Sequence, residues 1–258
     1  MARGTILLCL SLGLLAAANA VPFDFYYLVL KLIKLKRWIY LFLCTQWPGS
    51  ICSDPCCMPK YGYPSEDFYI ESFQAFDVSI NKPIVRCRNS ESFDIKKLDP
   101  IENSLKHYWS NINCPPTDGV DTWKSAWNSY GVCSGLKQLD YFEAALDLMK
   151  KAGVLVALSE QGINADMDMY STEKIKWAVR QRIGVEPVVQ CKDGPFVKRL
   201  DKIYLCVDTD AKTFIECPKL PATTCTEAAC FQPFHNWMLN STAAAAAFDS
   251  KILLPTDI

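Results

Sequence analysis

The stretch Trp123-Lys124-Ser125-Ala126-Trp127-Asn128-Ser129-Tyr130-Gly131-Val132-Cys133 governs the reading of this chain. Its Trp123 and Trp127 stand four apart, so on a helix they share one face, and two indoles on one face call for a core behind them. Gly131 has no Cβ and ends such a helix. Cys133 follows at once and offers a covalent tie. The spacing predicts a helix over 121–130 with its polar residues outward.

Outward from it, residues 140–152 carry a regular apolar stripe of Tyr141, Ala144, Ala145, Leu148 and Met149, stopped by Gly153. A short helix continues through Leu158, and 171–182 is another, opened by Ser-x-Glu and closed by Gly184. Upstream, 99–109 reads as a helix with Asp99 as cap and Pro100 in its first position. Strands are expected at 23–27, 67–70, 185–190, 202–208 and 213–217, with loops at 46–58 and 81–94. Strands and helices are interspersed without a βαβ rhythm, which predicts an α+β fold with an antiparallel sheet packed by several helices.

Charge narrows the partners. The 258 residues carry 27 basic and 28 acidic groups, a net charge of −1, so no cationic surplus draws in a polyanion. No DNA or membrane partner is expected, and any RNA or nucleotide contact would be weak. The sequence holds no signal of oligomeric state. Arg3, the apolar run 5–15 and Ala18-Asn19-Ala20 form a signal peptide over residues 1–20, with a mature start at Val21 and a secreted or vacuolar destination. Of thirteen cysteines, Cys9 falls in that leader, and the remaining twelve suit a disulfide framework in an oxidising compartment. Adjacent Cys56-Cys57, the lack of C-x-x-C pairs and only two histidines argue against zinc, so neither metal nor cofactor is expected. Asn240-Ser241-Thr242 is a glycosylation sequon in a loose tail, 235–258.

Residues 30–44 break character. Lys31, Lys34, Lys36 and Arg37 interrupt a run of Leu, Ile, Trp, Tyr and Phe. The apolar runs fall short of the ~20 residues that span a bilayer, and the lysines do not sort to one helical face. The segment reads as an atypical insert, of the kind retained intron sequence leaves.

Several segments together resemble the plant S-like branch of the T2 ribonuclease family. They are Phe23-Asp24-Phe25-Tyr26-Tyr27-Leu28, then Gln46-Trp47-Pro48-Gly49-Ser50-x-Cys52 and Cys56-Cys57. Leu105-Lys106-x-Tyr108-Trp109, Cys114-Pro115 and Asp140-Tyr141-Phe142-Glu143-Ala144-Ala145-Leu146 continue the pattern. Ile203-Tyr204-Leu205-Cys206-Val207-Asp208 and Phe214-Ile215-Glu216-Cys217-Pro218 complete it. The resemblance implies a T2 ribonuclease-like domain over 21–234. It also implies the pairs Cys52–Cys56, Cys57–Cys114, Cys87–Cys133, Cys191–Cys225 and Cys206–Cys217. Cys44 and Cys230 stand outside that pattern and could pair with each other. Gln46 and Trp47 fall in the region that contacts base in the family, with core packing the favoured reading of Trp47.

The catalytic motifs depart from the pattern. The first has the family form I-H-G-L-W-P and here reads Ile70-Glu71-Ser72-Phe73-Gln74-Ala75, with Glu71 at the histidine position. The second has the form W-x-H-E-W-x-K-H-G-T-C. Trp123, Trp127, Gly131 and Cys133 remain, while Ser125, Ala126, Ser129 and Tyr130 replace histidine, glutamate, lysine and histidine. The family reaction is a transphosphorylation to a 2′,3′-cyclic phosphate. It needs a base for the 2′-hydroxyl, an acid for the leaving oxygen and a cationic clamp. Imidazole suits the first two because its pKa lies near neutrality, and each such group contributes ~10²–10⁴-fold. Serine and alanine do not titrate in this range, a phenol does so near pH ~10, and Ser129 brings no charge to the developing anion. The expected function is a non-catalytic T2 ribonuclease homologue of storage type. An RNA- or nucleotide-binding module and a working endoribonuclease stay open as alternatives.

Overall fold

The computed structural model describes residues 39–51, 56–62, 65–88, 91–218 and 223–233. The signal peptide, the strand expected at 23–27, Cys52, Asn240, His235 and the tail lie outside them. All described residues belong to one compact unit.

The sheet is organised around β1 (Ile39–Gln46), whose residues Leu41 to Thr45 are buried without alternation. Continuous burial is what a strand covered on both faces shows. β1 pairs antiparallel with β2 (Tyr69–Asp77) on one side and β6 (Lys198–Val207) on the other. β3 (Lys82–Pro83) extends the β2 edge, and β5 (Val188–Asp193) forms a hairpin with β6. The N-terminal end of β6 meets β7 (Ala228–Cys230) through Arg199 and Cys230, the one parallel neighbour among the described strands, and β7 pairs with β4 (Met169–Ser171). This corrects two expectations. Residues 39–44, read as part of an insert, are the central strand. The segment 213–217 contributes a single bridge, Phe214 to Val207, and no strand.

The main core lies on the face that presents Leu41, Leu43, Phe73, Ala75, Ile203, Leu205 and Val207. Into it pack α2 (Glu102–Tyr108), α3 (Val120–Ser129), α4 (Gln138–Ala152), α5 (Val154–Ser159) and α6 (Thr172–Ile183). α4 buries Tyr141, Phe142, Ala145, Leu148 and Met149 and stops at Gly153, whose φ of 45° favours a residue without Cβ. A one-turn helix α1 (Pro48–Ile51) sits within the expected loop 46–58. The helix expected from Asp99 begins differently. Asp94 caps a 3₁₀ segment, Ile95–Ile101, by accepting from Lys96 N–H, and Pro100 lies inside it. The other sheet face carries a smaller apolar patch, with Phe42 against Phe76 and Tyr204.

Disulfides Cys57–Cys114, Cys87–Cys133, Cys191–Cys225 and Cys206–Cys217 join segments 4.8–5.2 Å apart at Cα. Cys56 is also disulfide-bonded. Cys44 and Cys230 do not pair: both thiols are free and buried. Cys44 lies within β1 and Cys230 on β7, and each donates to a partner of its own, Glu71 and the Met167 carbonyl.

Candidate active site

The two motif segments are positioned by Tyr141 of α4. Its ring lies 5.5 Å from Phe73 of β2 and edge-on to Trp127 of α3 at 5.8 Å. Its hydroxyl donates to the Phe73 carbonyl at 2.5 Å. Burial pushes that phenol far above its ordinary range, so it stays a neutral donor. Trp123 and Trp127 are fully buried, donating from their indole nitrogens to the Trp109 and Glu91 carbonyls. Gly131 is required because a Cβ there would sit 2.2 Å from the Trp127 ring.

On this frame the second-motif positions are chemically quiet. Ser125 is exposed on α3, Ala126 is buried, and Ser129 and Tyr130 are half-buried. The Ser129 carbonyl accepts from Arg86 N–H at 2.9 Å. Tyr130 lies close enough to Tyr141 for its charge to oppose that group's ionisation.

The first motif tells more. Cys44 pairs with Ser72 and Thr45 with Ile70, so Glu71 is the extra residue of a bulge in β2. Bulges re-aim side chains, and this one puts the Glu71 carboxylate beside β1 and β6. One oxygen accepts from Lys202 Nζ at 2.5 Å and the other from the Cys44 thiol at 2.9 Å. Tyr204, opposite Cys44 in the β1–β6 ladder, donates to Gln190 Oε1 at 2.9 Å. Burial draws the Lys202 ammonium down, but the hydrogen bond and charge of Glu71 outweigh it and hold the group above the ordinary lysine value. Burial first, then the Glu71 carboxylate, pushes the Cys44 thiol well up, so it is a protonated donor and not a nucleophile. Sequence reasoning found Glu71 but not Cys44 or Lys202, because only the register of three strands brings them together.

Gln46 donates to Asp201 Oδ1 at 3.2 Å, and Asp201 also accepts from Ser50. Trp47 packs in the core. It is 2% exposed, tilted against Phe68 and edge-on to Phe231 with centroids about 5 Å away, and donates to the Gln232 carbonyl at 2.7 Å. A base has no free indole face to stack on. His107, on α2, contacts Ser65 through Nδ1 and the Tyr108 ring at 4.3 Å, away from Glu71's partners.

The family model "Ribonuclease T2 family" matches residues 38–217. Ribonuclease 3 of Arabidopsis thaliana is 35% identical over 220 residues, covering 83% of this chain and 92% of its own length. A ribonuclease-like storage protein of Panax ginseng is 26% identical, over 72% of this chain and 78% of its own. The crystal structure of RNase NT in complex with 5′-AMP superposes with a TM-score of 0.72 at 32% identity, covering 76% of this chain and 99% of that one. The family match begins one residue before β1. From the sheet, the tryptophan-bearing α3 and these matches alike, the chain belongs to the Ribonuclease T2 family.

Proposed function

We propose that this chain is a non-catalytic T2 ribonuclease homologue of storage type, exported through the secretory pathway. The observation that carries the reading is the state of position 71. Where the first motif has an imidazole, this chain has a carboxylate engaged by Lys202 and Cys44. A carboxylate already holding an ammonium and a thiol proton is a poor base for a 2′-hydroxyl. The second motif supplies neither acid nor cationic clamp, since Ser125, Ala126, Ser129 and Tyr130 stand there. Similarity to the ginseng storage protein supports a role in which the fold outlasts the chemistry.

The test is an RNA-cleavage assay, in gel and by product analysis, beside an active relative. The expected result is no release of 2′,3′-cyclic phosphate ends. Release at a rate near the relative's would overturn the proposal. Export is tested separately by sequencing the N-terminus of protein from the secretory fraction, expected at Val21. The second reading, nucleotide binding without cleavage, draws on RNase NT, whose structure holds 5′-AMP. Titration with 5′-AMP separates it from the first.

A further inference from the structure

We infer that Glu71 is a built-in anion held by Lys202 and Cys44, so the chain carries a latent anion seat occupied by its own side chain. The inference rests on the proposed reading of position 71 and adds what the replacement does: it occupies as well as removes.

Three observations lead there. The first is stoichiometric. Both Glu71 oxygens are taken, one by the Lys202 ammonium at 2.5 Å and one by the Cys44 thiol at 2.9 Å, as two oxygens of a bound phosphate would be. The second is origin. The donors come from regular ladder positions of β1 and β6, while the acceptor is the bulged residue of β2, so the acceptor alone stands where the register is broken. The third is exposure. The Glu71 side chain keeps 37% of its surface and that of Lys202 21%, so the pair borders solvent and the seat is reachable once its occupant loses charge. Tyr204, opposite Cys44 on β6, and Gln190, opposite Lys202 on β5, continue the polar row beyond the pair. Burial keeps the phenol neutral, with its one proton given to Gln190.

A resident carboxylate opposes an entering phosphate twice. It neutralises Lys202, and at about 4 Å two like charges repel strongly even with surface screening. Glu71→Gln removes the charge while keeping the shape and one acceptor for Lys202.

The experiment is equilibrium binding by calorimetry, with inorganic phosphate, 5′-AMP and adenosine as probes, on wild type, E71Q and E71Q/K202Q. Thermal melts establish that each variant is folded. E71Q is expected to bind inorganic phosphate and 5′-AMP at least about tenfold more tightly than wild type, with adenosine unchanged. The double variant is expected to lose that gain. Equal tightening of both phosphates assigns the seat to the phosphate group. A larger gain for 5′-AMP assigns it to nucleotides. The inference fails if folded E71Q gains nothing, if adenosine gains as much, or if the gain survives loss of Lys202. None of these readouts involves cleavage, so RNA hydrolysis by the wild type would strike the proposed function and leave this result to be judged alone.

Discussion

At the scale of single residues, Glu71 is where the proposed loss of catalysis can be tested apart from the fold. Restoring one imidazole supplies a base with no acid opposite it and no clamp, and groups that act as one catalytic unit do not contribute singly. Glu71→His alone is therefore expected to leave cleavage at background. Glu71→His with Ser125→His, Ala126→Glu, Ser129→Lys and Tyr130→His is expected to recover part of the activity of an intact relative. Only part is expected, because Gln74 and Ala75 replace the motif's Trp and Pro, and a misplacement of about 1 Å can cost ~10²-fold. Single-turnover cleavage of an RNA oligonucleotide decides it, and strong activity from the single change would mean that the second motif still holds an acid. Asp67 offers a test through pH. Burial raises its carboxyl above the ordinary value, outweighing the Phe68 N–H it accepts at 2.7 Å and the nearby His107. A carboxyl raised on folding contributes stability below its unfolded pKa of about 3.9, and that contribution is lost as pH rises through the folded value. Asp67→Asn keeps the acceptor and never ionises. Its melting temperature is expected to exceed the parent's at pH 7, with the gap closing by about pH 3. A gap of equal size at both pH values would show that the carboxyl's charge is not its cause.

At the scale of elements, the Cys87–Cys133 bridge ties the turn after α3 to the segment after β3, across 46 residues of sequence. Removing both cysteines as Cys87→Ala/Cys133→Ala is expected to lower unfolding free energy by about 2–5 kcal/mol, read from denaturant midpoints at unchanged slope. An unchanged midpoint would mean that the bridge constrains nothing the native contacts do not already hold. The helices were the legible part of this fold. The stripes of α3, α4 and α6 repeat over three turns and end in Gly131, Gly153 and Gly184, which leaves little ambiguity. The strands were not. Residues 39–44 are a run of aromatic and aliphatic residues, and composition alone does not mark them as a strand. Continuity with Trp47 does, since its backbone N–H donates to the Asp201 carbonyl at 2.8 Å and fixes β1 beside β6. Three-residue strands such as β4 and β7 leave no periodic trace. At the site, the motif positions were legible and their partners were not, since Lys202 lies 131 residues from Glu71 and meets it only through strand register. Trp47, favoured for packing over base contact, does pack against Phe68 and Phe231.

At the scale of the whole molecule, the chain has buried tryptophans, a central strand and bridges beside motif positions that depart from the family pattern. A sheet face packed with Phe73, Leu43 and Leu205 against α4 depends on volume and shape, and Glu71, outside that apolar core, leaves it intact when it varies. The two thiols inside this sheet carry a consequence for how the molecule is made. In the native state Cys44 and Cys230 are sealed from oxidants, but the unfolded chain exposes them beside the cysteines that must find each other. Correct pairing then becomes a race: β1 and β7 must close over their thiols before exchange traps either one in a wrong partnership. Cys44→Ser with Cys230→Ala withdraws both competitors while leaving a donor for Glu71. Oxidative refolding of that variant in a glutathione buffer is expected to return a larger native fraction than the parent, with fewer scrambled species on a non-reducing gel. Equal yields would mean that the sheet closes faster than sulfur exchanges, and that this protein guards its thiols by speed of collapse.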